Sequence, residues 1–256
     1  ADKSRYGEFD VLRDQSQEKV KAIIDVSANG DFEWGTDEQK VGDLYNSYMN
    51  IDARDAKGIE PLQPELDRIN SISDYADLAV YFAETMKRNL DSPIGFGQVA
   101  DFKNPKKYMV YAGQSGLGLP DREYYLKDDE GSEVLRQKYV AHIERMYKLA
   151  GFTDGAAAAA TILALEIRLA EQNMRKEDTR NWSANYNKVA VEDLSEVMPN
   201  FNWDGYLEAA GLQEVGTLVF ITTDYLRALD GIIVDTDLDI WKTYLQWSAL
   251  NQTTSR

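Results

Sequence analysis

One histidine, no cysteine and 44 acidic residues bound the chemistry open to this 256-residue chain. His142 lies in Val140-Ala-His-Ile-Glu-Arg-Met146 and would have to be the base of any triad that relies on imidazole. Its helical surroundings give it no catalytic motif, so it reads as a packed or surface helix residue. Zinc sites draw several ligands from His and Cys, and no such set can be assembled here. Without cysteine, disulfides and thiolate nucleophiles are excluded as well. Gly95-Phe-Gly97 and Gly116-Leu-Gly118 are too few and wrongly placed for a phosphate loop. Glu166, Glu171, Glu177 and Asp178 follow one helix and its end, a pattern common on solvated helices, and assign no paired-carboxylate chemistry. Arg5 is out of place. Ser4 is positioned to cap a helix reaching about Ser27, and a cation in the first turn opposes the helix dipole by roughly 0.3–1 kcal/mol. Asp10 lies five positions on, about 140° around a helix, so the two do not form an i,i+4 pair. Arg5 either meets a carboxylate elsewhere or serves a ligand.

The elements that must position these groups are mostly helical. Phe9, Leu12, Val20, Ile23 and Ile24 form an intermittent apolar stripe on the first helix. Thr36-Asp-Glu-Gln39 has the form of a capping box opening a second helix to Asn50, with Val41, Leu44, Tyr45 and Tyr48 as its inner face. The stretch 52–64, holding Gly58, Pro61 and Pro64, reads as a turn region, and 62–69 as a short helix. Ser73 or Asp74 caps a further helix through about Leu90. The run from Pro93 to Leu126 breaks this texture. Phe96–Phe102 and Tyr108–Ala112 read as a β-hairpin, spanning about 94–112, around the polar loop Lys103-Asn-Pro-Lys-Lys107. Gly116, Gly118 and Pro120 then forbid regular structure, and Asp121 caps a short helix at Arg122-Glu-Tyr-Tyr. Helices follow at 132–150, ended by Gly151, and at 155–177, where five consecutive alanines mark close helix packing. Further helices are read at 191–198, 203–210, 223–231 and 237–251. No repeat and no Gly/Pro/Ser-rich linker divides the chain. The expected fold class is mainly α, a multi-helix domain with one β-hairpin.

With 43% hydrophobic and 28% charged residues the composition is that of a globular protein. A net charge of −16 argues against nucleic acid and against docking on an anionic membrane. No apolar run approaches about 18 residues and no signal-peptide core opens the chain, so membrane insertion is not expected.

Five stretches carry a resemblance that spacing alone does not show. Ser4-Arg-Tyr-Gly-Glu-Phe-Asp-Val-Leu-Arg-Asp14, residues 39–50 (QKVGDLYNSYMN), 116–125 (GLGLPDREYY), 163–187 and 225–247 resemble, in order, the neprilysin family of zinc metallopeptidases. Tyr48 stands where animal members tend to carry cysteine, so a bacterial oligopeptidase is the closer likeness. The resemblance implies that residues 1–256 are one helical substrate-capping domain, incomplete at its C-terminal end. The zinc domain with its H-E-x-x-H helix would lie outside this chain. Zinc is then expected in the complete enzyme and no cofactor in this chain. Arg5 and Asp10 fall on a family pair at the substrate cleft, where the arginine contacts the C-terminal side of a peptide and the aspartate helps hold it. A guanidinium fork suits a carboxylate or peptide carbonyl. The expected partners are a peptide substrate and a companion chain bearing the zinc domain; the expected location is periplasmic or extracellular, with the cytoplasm as alternative. Two further readings stay open: a stand-alone peptide-binding module without a catalytic lobe, and a purely structural helical domain.

Overall fold

The computed structural model describes residues 7–254. They form twelve α-helices and a single four-stranded sheet, a mainly α fold as expected. The chain divides after Glu60 into two compact units. The division falls at Glu60-Pro61, in a single 3₁₀ turn with no linker composition to mark it.

The first unit is built on α1 (Glu8–Asn29) and α2 (Asp37–Met49), followed by the short α3 (Ile51–Lys57). Thr36 caps α2 as expected, its hydroxyl accepting from the Gln39 N–H at 3.3 Å while Gln39 Oε1 accepts from the Gly35 N–H at 3.1 Å. The two helices approach at Gly42, where a Cβ would lie 2.2 Å from the Ser27 carbonyl oxygen. Most of the apolar residues assigned to inner faces are not covered, Ile24 and Val41 being half-buried. Phe9 is 89% exposed and Leu44 72%, and Leu12, Val20, Ile23, Tyr45 and Tyr48 are exposed too. The expected turn at 52–64 is in its first half the helix α3, because Asn50 supplies a cap by accepting from the Ala53 N–H at 3.1 Å.

The second unit opens with α4 (Gln63–Ser71) and α5 (Tyr75–Arg88), the latter capped by Asp74. The hairpin follows as β1 (Ile94–Asp101) and β2 (Asn104–Gln114). Its turn is tighter than expected: Asp101 pairs with Asn104, and then Ala100 with Tyr108. Pro105, Lys106 and Lys107 are thereby thrown out of register into a bulge, where a residue without an N–H is tolerated. Asp101 pins this end, accepting from the Lys103 N–H at 3.0 Å and the Tyr186 hydroxyl at 2.7 Å.

Next come α6 (Glu123–Leu126), α7 (Glu130–Leu149) and α8 (Gly155–Gln172), which stops five residues earlier than expected. Ala158 and Ala159 are buried, and Gly155 sits against the Glu144 carbonyl, so α8 lies close on α7. The hairpin does not stand alone. β3 (Asn187–Ala190) follows, then α9 (Leu194–Val197), α10 (Trp203–Ala210) and β4 (Thr217–Phe220). β4 pairs in parallel with β2 and antiparallel with β3, giving the order β1-β2-β4-β3. The last helices, α11 (Thr223–Val234) and α12 (Leu238–Thr254), pack on α8. The core of this unit is aromatic: Trp241 meets Phe82 and Tyr244 edge-on, both at centroid distances below 6 Å.

Candidate functional site

Of the residues picked out in the sequence, Arg5 lies outside the described residues. Asp10 is the third residue of α1, and its carboxylate performs a local task. Oδ2 accepts from the Gly7 N–H at 3.1 Å and Oδ1 pairs with Arg13 at 3.0 Å. The helix starts at Glu8, with Gly7 as its cap instead of Ser4, and its first turn holds the acidic pair Glu8 and Asp10. That is the sign the dipole favours. His142 is half-buried on α7, edge-on to Trp247, with Arg145 3.0 Å from its Nδ1. Burial, then the Arg145 charge, lowers its pKa, so at neutral pH it is an uncharged packing residue.

The carboxylates of α8 are not all solvated. Glu171 is exposed, whereas Glu166 is 1% exposed. Its Oε2 accepts from the Tyr125 hydroxyl at 2.7 Å and its Oε1 from the Tyr139 hydroxyl at 3.0 Å. Each phenol is held in turn by an N–H: Tyr125 by that of Leu119 at 2.7 Å, Tyr139 by the Trp247 indole at 2.8 Å. One carboxyl group thus ties α6, α7, α8 and α12 together and fixes the loop 116–120. Burial pushes its pKa up to about 7, against the pull of both hydroxyls and the Gly118 N–H toward the charged form. The space beside it is about 10 Å³, at most one water. No substrate reaches Glu166, and its role is to hold the fold.

An open hollow of about 390 Å³ lies on the other side of this loop, lined among others by Gln114, Leu117, Arg122, Asn173 and Met174. Gln114 shapes it by gripping the main chain of Met174: Oε1 accepts the Met174 N–H at 2.6 Å and Nε2 donates to its carbonyl at 3.2 Å. This clamp sets the path of the chain after α8, and neither it nor the buried state of Glu166 was foreseen from sequence. For Glu166 a signal existed. Ile162, Leu165, Glu166 and Leu169 share the i, i+3, i+4, i+7 spacing of one helix face, and all four are buried.

Among the described residues, no three His, Cys, Asp or Glu side chains stand together in a way that could hold a metal ion. This donor set does not fit zinc.

Comparison with known proteins decides the family. The N-terminal model of peptidase family M13 matches residues 1–256, the entire chain. The chain belongs to peptidase family M13. The rat (Rattus norvegicus) endothelin-converting enzyme-like 1 is 28% identical over 262 residues, covering 96% of this chain and 34% of that relative. Human (Homo sapiens) endothelin-converting enzyme 1 is 28% identical over 265 residues, covering 98% and 34%. The zinc metalloprotease Zmp1 of Mycobacterium tuberculosis, in its open state, superposes on this M13 chain with a TM-score of 0.88 at 30% identity, covering 98% of this chain and 40% of Zmp1. The chain therefore spans about a third of the length of the curated relatives it matches.

Proposed function

We propose that this M13 chain is the non-catalytic, substrate-capping part of a zinc metalloendopeptidase that hydrolyses peptides. The zinc-binding lobe would be carried outside these residues, in the same polypeptide or on a companion chain. One observation carries the reading: the chain fits the N-terminal model of a peptidase family from end to end, while its described residues offer no set of metal donors. Within the reading, Arg5 and Asp10 belong to recognition of the C-terminal side of the peptide, with zinc supplied by the other lobe.

Two measurements test it. Incubated alone with a quenched fluorescent peptide, the purified 256-residue chain should release no signal, and chelator-sensitive hydrolysis by it would refute the proposal. In a polypeptide that includes the catalytic lobe, Arg5→Ala should lower kcat/KM ten- to a hundredfold on peptides whose free carboxylate lies just past the cleaved bond. This corresponds to the loss of a charge-assisted hydrogen bond of about 1.5–3 kcal/mol. C-terminally amidated peptides should lose much less. Equal losses on acid and amide would remove Arg5 from recognition.

A further inference from the structure

β1 is an edge strand, and its outer side is open. The sheet order β1-β2-β4-β3 gives it β2 as its one strand neighbour among the described residues. The Ser115 N–H bonds to the Pro93 carbonyl, and the Ala112 carbonyl faces the other way, toward the Ile221 N–H. The odd-numbered residues Gly95, Gly97 and Val99 therefore exchange hydrogen bonds with β2. Phe96, Gln98 and Ala100 turn their N–H and C=O groups outward, where no described residue bonds them. At the start of the strand the outward Ile94 carbonyl is met by the Ser92 hydroxyl at 3.0 Å. Gln98 and Ala100 are exposed, and Phe96 is half-buried. Edge strands are ordinarily blunted by lysine, proline or a bulge. From Ile94 to Ala100 β1 has none of these: its register with β2 is unbroken, and the run holds no charge and no proline.

We propose that this edge takes up an extended peptide as a fifth, antiparallel strand, uncharged along Phe96–Ala100 and acidic at its N-terminal end. A row of outward N–H and C=O groups is complemented by the main chain of another strand. Glycine leaves room for it. A Cβ on Gly97 would meet nothing within 4 Å, and a glycine inside a strand is where another backbone can come close. On the same face Val99 is 44% exposed, and Phe102, whose ring lies 4.9 Å from that of Tyr111, is 50% exposed. They offer apolar footing to alternate side chains of the peptide. At the start of the strand a hollow of about 210 Å³, bounded by Met86, Leu90, Ile94 and Phe96 among others, can receive one side chain. Charge decides the occupant. In a chain of net charge −16, residues 92–120 carry Lys103, Lys106 and Lys107 at the hairpin tip against one acid, the buried Asp101. Antiparallel pairing, the more stable kind, sets the N-terminal end of the peptide beside that tip, where acidic residues meet the lysines. A second copy of the chain would set −16 against −16, and its own β1 has no exposed acid to offer. The inference rests on the reading of the chain as a peptide-handling lobe, and adds to it a site in the second unit, separate from Arg5 and Asp10.

The test is hydrogen exchange, read by NMR on the ¹⁵N-labelled 256-residue chain with the probe acetyl-Glu-Glu-Thr-Val-Thr-Val-Thr-amide. Without probe, the N–H groups of Gly95, Gly97 and Val99 should be protected and those of Phe96, Gln98 and Ala100 should exchange freely. Near saturation the latter three should slow roughly tenfold or more. Methylating every second amide nitrogen of the probe should abolish this for one alternate set and spare it for the other, since one set of N–H groups faces β1. A twin with lysines in place of the glutamates should bind about threefold more weakly or worse. None of these arms alters the protein, so folding of a variant does not enter. Free exchange at Phe96, Gln98 and Ala100 under excess probe would overturn the proposal, as would equal binding of both methylated sets or of the lysine twin. Protection that grows with protein concentration alone would overturn it in favour of a second copy. Protection already present in a longer polypeptide without probe would overturn it in favour of a segment of the protein itself. A longer polypeptide that cleaves peptides in an Arg5-dependent way while these amides stay unprotected would sink this inference and leave the proposed function standing. Protection by the probe in a longer polypeptide that cleaves nothing would support the inference and count against that function.

Discussion

Gly118 and Tyr139 meet without room for a side chain between them. A Cβ on Gly118 would lie 1.9 Å from the Tyr139 hydroxyl and 3.1 Å from Glu166 Oε1. Gly118 is glycine because of this contact, whereas its neighbour Gly116 also has a φ of +83°. Gly118→Ala should cost about 1–3 kcal/mol by overpacking, with the hydrogen bonds of Glu166 disturbed in addition. Urea unfolding followed by tryptophan fluorescence measures this, because Trp247 donates to the displaced tyrosine. A midpoint unchanged from wild type would contradict the contact.

The Glu166 carboxyl should make the protein less stable as pH rises. Its pKa goes from 4.5 in the unfolded chain to about 7 in the native one, so the native state holds its proton more tightly. The contribution is complete below about pH 4.5 and is lost as pH rises through about 7, an effect on the order of 3 kcal/mol. Glu166→Gln keeps the shape without the titration and should flatten the decline between pH 5 and 8. Urea unfolding free energies at four pH values, compared between wild type and variant, check it; parallel curves would show that Glu166 does not titrate in this range.

In the first unit the sensitive position is Gly42. Its missing side chain lets α2 touch the Ser27 carbonyl, and Gly42→Ala would place a methyl 2.2 Å from that oxygen. Hydrogen exchange should accelerate across α1 and α2 while α7 and α8 keep their protection, since they belong to the other compact unit. Uniform acceleration across both would show that the units do not open separately.

Asp10 should prove separable into two roles. Asp10→Ala removes the acceptor of the Gly7 N–H and the partner of Arg13, and should loosen the start of α1 by about 0.5–1 kcal/mol, read as faster exchange in its first turn. Arg13→Ala removes the ion pair, together with a longer contact to Asp14 at 3.8 Å, and leaves the Gly7 hydrogen bond in place. In a polypeptide with the catalytic lobe, Asp10→Ala should reduce the preference for peptide acids over amides and Arg13→Ala should leave it intact. Equal effects would reduce Asp10 to a capping residue.

Local chemistry was legible wherever a few neighbouring residues decide the outcome. Thr36 and Asp74 cap their helices, and α10 runs from Trp203 to Ala210 as read from the sequence. The hairpin is recognisable because Val99, Tyr108 and Val110 alternate around a proline-bearing tip. What stayed hidden depends on partners distant in the chain. β3 and β4 are four residues each, too short for a period to show, and β4 is a strand because it lies beside β2. Glu166 looked like any acid on a solvated helix, since nothing near it in sequence announces Tyr125, Tyr139 and Trp247 as donors. The inner face assigned to α2 failed for the opposite reason: its periodicity is present, but Leu44 and Tyr48 stay exposed, Tyr48 meeting only the Arg54 guanidinium over its ring.

The parallel pairing of β2 with β4 also governs how the chain can be made. Gln114, the last residue of β2, donates its N–H to the Thr222 hydroxyl, 108 positions later. A hairpin forms within about 1–10 μs, but a ribosome adding roughly 5–20 residues per second needs on the order of 10 s to deliver that partner. Throughout that interval the inner edge of β2, with Val110, Tyr111 and Ala112, is an open strand seeking hydrogen bonds. The nascent protein is therefore most exposed to mispairing between the completion of the hairpin and the emergence of Phe220, and that is the window in which a chaperone would have to hold it.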